Sequence, residues 1–371
     1  MSHSHGNGNR EQLSAEELER QHFKKVVKVF KHYKEYSLLK VNKSQHYYET
    51  LPAEDKALVN DMPFNFDRIR DCIFANQSFF SDIVMDVGQM FDNDNPLSNT
   101  DDPSKLDQHP LPTTFDMDKL RTTLRQFVRD WSAEGKAERD SCYTPIIDQI
   151  RAKFPNDRNN VKVLVPGAGL GRLAFEIAKL GYECQGNEWS VYMLFASHYI
   201  INKCPSINYV SIHPWVSDTC NQWSHENQIQ KISIPDVNPQ SLPYAGLFSM
   251  VAGDFLEVYV EENQWHCVAC CFFIDTAHNI IEYLKRIYKI LRPGGYFINL
   301  SPLLFHFSDI PGENSLDITY EQVINICKKL GFIITHEDRS LTSTYIENTK
   351  SMMRYSYNTP LFVGQKPPSN S

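Results

Sequence analysis

Runs of consecutive apolar residues alternating with amphipathic stretches organise the second half of the chain. Residues 161–165 read as a buried strand, 173–180 carry apolar positions at helical spacing, 183–188 form a second strand and 190–202 a second helix. Residues 248–255 fit a third strand and its exit, and 267–275 a fourth. A helix over 280–291 and the tight turn at Pro293-Gly-Gly lead into a fifth strand that ends at Leu300. A helix over 320–330 and closing strands at 332–335 and 352–363 complete the series. This alternation predicts a mostly parallel sheet with helices on both faces.

The first half has a different period. From Ser14 the chain reads as helix, opened by a capping-box-like Ser-Ala-Glu-Glu, with Phe23, Val26, Val27, Phe30, Tyr33 and Leu38 recurring at mostly helical spacing. A second helical stretch covers 63–90. Residues 91–112, rich in Asp, Asn, Pro and Ser, read as an exposed loop. Helices over 115–131 and 138–154 then lead into the sheet, so the all-helical preface reads as a lid or an accessory region. Residues 205–242 are rich in Asn, Gln and Ser and read as an irregular, polar insertion.

Composition narrows the class of protein. A formal charge of -8 disfavours a broad nucleic-acid footprint, and the basic run over residues 24–43 reads as a solvated helix face. The start, residues 1–9, is polar and lacks a signal-peptide core, and no later run approaches membrane-spanning length. Nine cysteines without a disulfide-like spacing suit a reducing compartment, so a cytoplasmic or nuclear protein is expected. Cys267, Cys270 and Cys271 could suggest a metal site. Strand alternation sends Cys270 and Cys271 to opposite faces, however, and no second cysteine pair follows, so no metal is expected.

The chemistry starts at the first strand. Gly167, Gly169 and Gly171 follow it, an amphipathic helix comes next, and Glu188 closes the second strand. Glycines let the backbone approach a ligand closely, and a carboxylate at that position can accept hydrogen bonds from ribose hydroxyls. An adenosine-bearing cofactor is therefore expected. The turn alone fits NAD, FAD or a methyl donor.

The longer motifs choose among these. Residues 127–132 (Phe-Val-Arg-Asp-Trp-Ser), 137–140 (Ala-Glu-Arg-Asp), 165–172 (Val-Pro-Gly-Ala-Gly-Leu-Gly-Arg), 185–189 (Gln-Gly-Asn-Glu-Trp), 272–279 (Phe-Phe-Ile-Asp-Thr-Ala-His-Asn), 301–307 and 351–355 resemble the carnosine N-methyltransferase family, from about Leu120 onward. The resemblance implies an α/β fold: a seven-stranded Rossmann-like class I methyltransferase domain at 136–371, interrupted at about 205–242, after a helical region at 1–135. It implies S-adenosylmethionine as cofactor and carnosine or a similar small His-containing peptide as substrate, methylated at the ring nitrogen nearer the side-chain methylene. A protein histidine, another small molecule, or a noncatalytic cofactor-binding role is the alternative. Oligomeric state is open, a homodimer included.

Pro166 stands where many methyltransferases carry an acid nearby, so the cofactor's amino-acid end needs other partners. Gln126 and Arg129, three apart on one side of a helix, are the candidates. With Gly167, Gly169 and Glu188, the cofactor set includes Asp254 for the adenine amine, Phe255 to frame the ring by its side chain or its amide, and Cys271 as a small apolar neighbour. Asp275 leaves the fourth strand at the sheet's carboxyl edge, where ligands bind in open α/β folds. With His306 and Tyr357 it forms the expected catalytic and substrate-binding set. Composition alone also allows Asp254 in a plain turn, capping backbone amides, Arg129 in a surface ion pair and His306 as a core histidine.

Overall fold

The computed structural model describes residues 14–59, 65–85, 87, 110–156, 158–242 and 247–369. Residues 1–9 and most of the loop expected at 91–112 lie outside them. The strands are β1 (Lys162–Pro166), β2 (Glu183–Glu188), β3 (Val210–Ile212), β4 (Ile232–Ile234), β5 (Phe248–Ala252), β6 (Trp265–Cys271), β7 (Leu291–Leu300), β8 (Ile333–Asp338), β9 (Thr342–Ser343), β10 (Tyr357–Asn358) and β11 (Leu361–Gln365). Seven of them form one sheet in the order β5-β2-β1-β6-β7-β11-β8. β5, β2, β1, β6 and β7 pair in parallel, while β11 runs antiparallel to both β7 and β8. The order reverses direction at β1 and β6, and such a switch point opens a crevice at the carboxyl ends of the strands. Gly167, Glu188, Asp254 and Asp275 all follow strands at that edge.

Strand alternation explains both faces. Val163 and Val165 of β1 and Cys267 and Ala269 of β6 pack beneath the Lys136–Lys153 and Arg172–Lys179 helices. Leu164, Val268 and Cys270 point to the other face, against Ile280–Ile290 and Tyr320–Lys329. Cys270 and Cys271 therefore do part company across the sheet.

The helical half differs from its sequence reading in detail. The helix from Ser14 has its capping box with Glu17 but breaks at His32, giving Ala15–Lys31 and Tyr33–Thr50. Phe66–Met85, Thr114–Trp131 and Lys136–Lys153 follow the expected spans closely, and a Thr113/Asp116 capping box starts the second of them. The third opens without a side-chain cap at Gly135. The basic run is partly committed: Lys25 pairs with Asp116 at 2.7 Å, and Lys40 donates to the Ser217 carbonyl at 3.2 Å.

Two expectations need correction. Residues 205–242 are not an irregular polar flap, because β3 and β4 form an antiparallel ladder within them. Ile212, Trp215, Val216, Ile229, Ile232 and Ile234 are buried in the same core as Phe30, Phe79 and Phe127 of the helices. Three-residue strands set among Asn and Ser leave no periodicity long enough to read. Residues 352–363 are likewise not one strand: only β11 joins the main sheet, while β10 pairs with β9.

Asp236 ties the insertion to the sheet, bonding Arg139 Nη2 and Arg172 Nη1 at 2.5 Å each. Arg172 Nη1 also donates to the Asp130 carbonyl at 2.7 Å, and Trp131 Nε1 to the Leu170 carbonyl at 3.0 Å. The helix carrying Gln126 and Arg129 is thereby fixed against the glycine loop.

Candidate active site

The glycine loop leaves β1 with the backbone in the left-handed region at Gly167 (φ 63°) and Gly169 (φ 56°). A Cβ at Gly167 would fall 2.5 Å from the Phe273 ring, so this turn admits no side chain. A Cβ at Gly169 would instead point toward Gln126 Nε2 and Asp130 Oδ2, at 3.6 and 3.8 Å, across a cleft. Gly169→Ala should thus cost about 1–2 kcal/mol of stability from the left-handed backbone and lower cofactor affinity by more than its thermal shift explains. Calorimetric titration beside thermal melting separates the two effects.

Gln126, Arg129, Asp130, Tyr143, Gly167, Gly169, Cys271, Phe272 and Tyr345 line this cleft. Glu188 borders it: its carboxylate accepts the Gly169, Trp189 and Ser190 amides at 2.8–2.9 Å. Burial pushes the Glu188 carboxyl up, and these amides pull it back. Asp254 caps the short Phe255–Val258 helix through Leu256 N at 2.7 Å, which commits Oδ1 alone. The Phe255 ring is buried edge-on against Phe273 and Tyr283, so it cannot frame an adenine; only its backbone amide remains for that task.

Arg129 is neither on the surface nor free. Its guanidinium meets Asp130 Oδ1 at 2.9 Å, the Tyr143 hydroxyl at 2.8 Å and Glu138 Oε1 at 3.2 Å. Cys271 packs against the apolar cluster under the sheet, and its sulfur lies 3.8 Å from Arg129 Nη2. The neighbouring Cys271 and the Arg129 guanidinium hold the Cys142 thiol below its ordinary range. Among the described residues, Gln126 Oε1 is buried without a hydrogen-bond partner. An orphaned acceptor, a charged guanidinium and an acid facing a side-chain-free glycine suit the zwitterionic end of an amino-acid cofactor.

Asp275, His306 and Tyr357 are not among the residues lining this cleft; Asp275 follows the lining residue Phe272 by three positions and is 1% exposed. Its Oδ2 accepts Leu304 N at 2.8 Å, and its backbone carbonyl accepts the His306 amide at 3.1 Å. Ser301 Oγ lies 3.3 Å from Oδ1 but 2.8 Å from the Pro302 carbonyl. A hydroxyl has one proton, and the shorter contact takes it, so Oδ1 keeps acceptor capacity. Burial raises the Asp275 carboxyl, while Leu304 N and the nearby His306 pull it back. His306 is exposed, not a core histidine. Tyr357 packs edge-on against Phe272 at 6.0 Å. His278 and Asn279 have structural duties: Nδ1 of the first contacts the Asn314 carbonyl at 2.8 Å, and the second caps the Ile280–Ile290 helix.

Sequence reasoning missed Asp130, Glu138, Tyr143 and Tyr345. The Tyr345 hydroxyl accepts from Gln126 Nε2 at 3.2 Å; its ring stacks on Phe272 at 5.2 Å and lies under Arg129 at 5.2 Å. Glu138 anchors that turn by accepting from Thr344 Oγ1, Ile346 N and Glu347 N at 2.8–2.9 Å. Asp130 was legible as the neighbour of Arg129, four residues after Gln126. Glu138 lies in the 137–140 motif but had no role suggested by it, and Tyr143 and Tyr345 had no local signal.

Strain collects here too. Phe272, Phe305 and Ile346, each beside a candidate residue, hold φ of 55°, 43° and 50°. Such conformations cost bulky residues about 1–3 kcal/mol each and persist only where surrounding contacts enforce them.

Sheet order, glycine loop and the acid closing β2 define a class I methyltransferase fold. The chain belongs to the carnosine N-methyltransferase family, whose model matches residues 106–368. It is 48% identical over 356 residues to the Mus musculus carnosine N-methyltransferase, covering 95% of this chain and 88% of that one. The Drosophila melanogaster carnosine N-methyltransferase unmet is 38% identical over 374 residues, covering 95% and 81%. The Schizosaccharomyces pombe carnosine N-methyltransferase is 36% identical over 363 residues, covering 92% and 94%.

Proposed function

We propose that this chain transfers the methyl group of S-adenosylmethionine to the imidazole of carnosine, giving anserine and S-adenosylhomocysteine. The observation that carries the acceptor side is Asp275: a buried carboxylate with one oxygen still able to accept, just past the carboxyl end of β6 and three residues after Phe272, which lines the glycine cleft. Glu188 would hold the ribose, Asp254 and the Phe255 amide the adenine. Gln126, Arg129 and Asp130 would hold the amino-acid end, with Asp130 standing in for the acid that Pro166 displaces. When bound, the cofactor supplies an electrophilic methyl on a positively charged sulfur.

The remaining work is positioning. Asp275 Oδ1 accepts the N–H of one ring nitrogen, which fixes the tautomer and turns the other nitrogen's lone pair toward the cleft. The same carboxylate stabilises the positive charge that grows on the ring as the new N–C bond forms. His306 and Tyr357 flank the acceptor. The helical region and the 205–242 insertion, joined in one core, are the material that would close over the substrate and limit water. Gln126 Oε1 finds its missing partner in the cofactor.

The pH dependence follows with its sign. Asp275 must be ionised to accept, and the acceptor ring must be neutral to react. Although the Asp275 carboxyl is raised from 3.8, a free imidazole titrates near 6.5 and sets the acidic limb. kcat/KM for carnosine should therefore fall about tenfold per pH unit below roughly 6.5 and level off above it. Initial rates across that range check this.

Incubation with radiolabelled methyl donor, carnosine, free histidine and a cell extract tests the substrate. Label in carnosine is expected. Label confined to protein would point to a protein histidine instead.

A further inference from the structure

A second cavity lies away from the glycine cleft, with a volume of about 670 Å³. It sits between the Tyr33–Thr50 and Phe66–Met85 helices and the insertion. Val41, Phe66, Ile69, Ile73 and Val216 make it largely apolar. Its charged lining is one-sided among the described residues: Lys40 and Arg121 contribute, and no described Asp or Glu does. In a chain with 45 acidic and 37 basic residues, that bias runs against the average surface.

Two polar atoms at this cavity lack hydrogen-bond partners among the described residues. They are the Arg121 Nε donor and the Gln222 Oε1 acceptor, both buried. Arg121 spends Nη1 on Asp118 at 2.9 Å and leaves Nε unsatisfied. The volume also falls within the usual range for small-molecule sites.

We propose that this cavity binds a small amphipathic carboxylate, its apolar body against Val41, Ile69 and Ile73 and its acid group on Arg121 and Lys40. The site is separate from the one that binds carnosine. Two connections join it to the glycine cleft. Arg121, Arg125 and Arg129 recur at four-residue spacing along the Thr114–Trp131 helix, and Arg125 contacts Asp218 of the insertion at 2.5 Å. Gln222 bridges to Ser351, on the segment between Tyr345 and Tyr357. An occupant can thereby bias the helix that carries Gln126 and Arg129.

Isothermal titration of the full chain with decanoate tests this. Saturable binding at one site is expected. Binding of decyltrimethylammonium, which has the same chain with the opposite charge, should be at least about tenfold weaker. Arg121→Gln, which alters a side chain outside the methyl-transfer site, should weaken decanoate about tenfold or more, the loss of one charge-assisted contact. Val41→Trp should weaken decanoate about tenfold or more by occupying the apolar wall on which the chain would lie, with circular dichroism checking its fold. No saturable decanoate binding, equal binding of the cationic amphiphile, undiminished affinity in Arg121→Gln, or displacement of decanoate by carnosine would each overturn the proposal.

Discussion

Asp275→Asn should lower turnover with carnosine on the order of a thousandfold while S-adenosylhomocysteine affinity stays within about twofold. The amide is nearly isosteric. Its oxygen can still accept Leu304 N, and its NH₂ group would face the acceptor position, where a carboxylate oxygen is needed. The substitution should not destabilise the fold. A carboxyl whose folded pKa lies above its unfolded value contributes stability at low pH, and that contribution is lost as pH rises through the folded pKa. Burial raises Asp275, so at neutral pH the ionised side chain opposes folding and Asn removes that cost. Thermal melting at pH 7 should show an equal or higher midpoint beside lost activity. A stable variant with ordinary turnover would remove Asp275 from the mechanism.

Glu138→Ala should have the largest effect on stability, about 3–5 kcal/mol, as expected when one partner of a buried ion pair is deleted. Glu138 is 9% exposed, stands 3.2 Å from Arg129 Nε and accepts three hydrogen bonds from residues 344–347. Its loss leaves Arg129 with Asp130 as its remaining close carboxylate and releases the turn that holds Tyr345 under Gln126. Cofactor affinity should fall with stability. Glu138→Gln keeps an acceptor for the turn and should recover most of the affinity. Chemical denaturation and titration with S-adenosylhomocysteine read the two effects, and equal loss in both variants would show that charge alone matters.

The contrast between these residues shows what the sequence could reveal. β2 matches its expected span and β1 lies within one residue of it, because each is a short apolar or glycine-bounded run flanked by a helix or turn. Gly167, Gly169, Glu188 and Asp275 follow from that frame, since the fold assigns chemistry to the carboxyl ends of its strands. Glu138 and Tyr345 do not, because they are separated by about two hundred residues and their meeting depends on the closing of the 342–358 segment. The buried insertion escaped for a related reason: its apolar residues are isolated locally and find partners only in the helical core. Phe255 shows the same limit from the other side: its ring packs against Phe273 and Tyr283, so of the two options, side chain or amide, only the amide stays open.

The central claim is that Asp275 holds one ring nitrogen so that the other receives the methyl group. Nuclear magnetic resonance of the carnosine product, with isotopically labelled methyl from the donor, tests it most directly. A single isomer is predicted, the label coupled to the ring nitrogen nearer the side-chain methylene, with no product from Asp275→Asn. Label on both ring nitrogens, on the other nitrogen, or on the β-alanyl amine would contradict it.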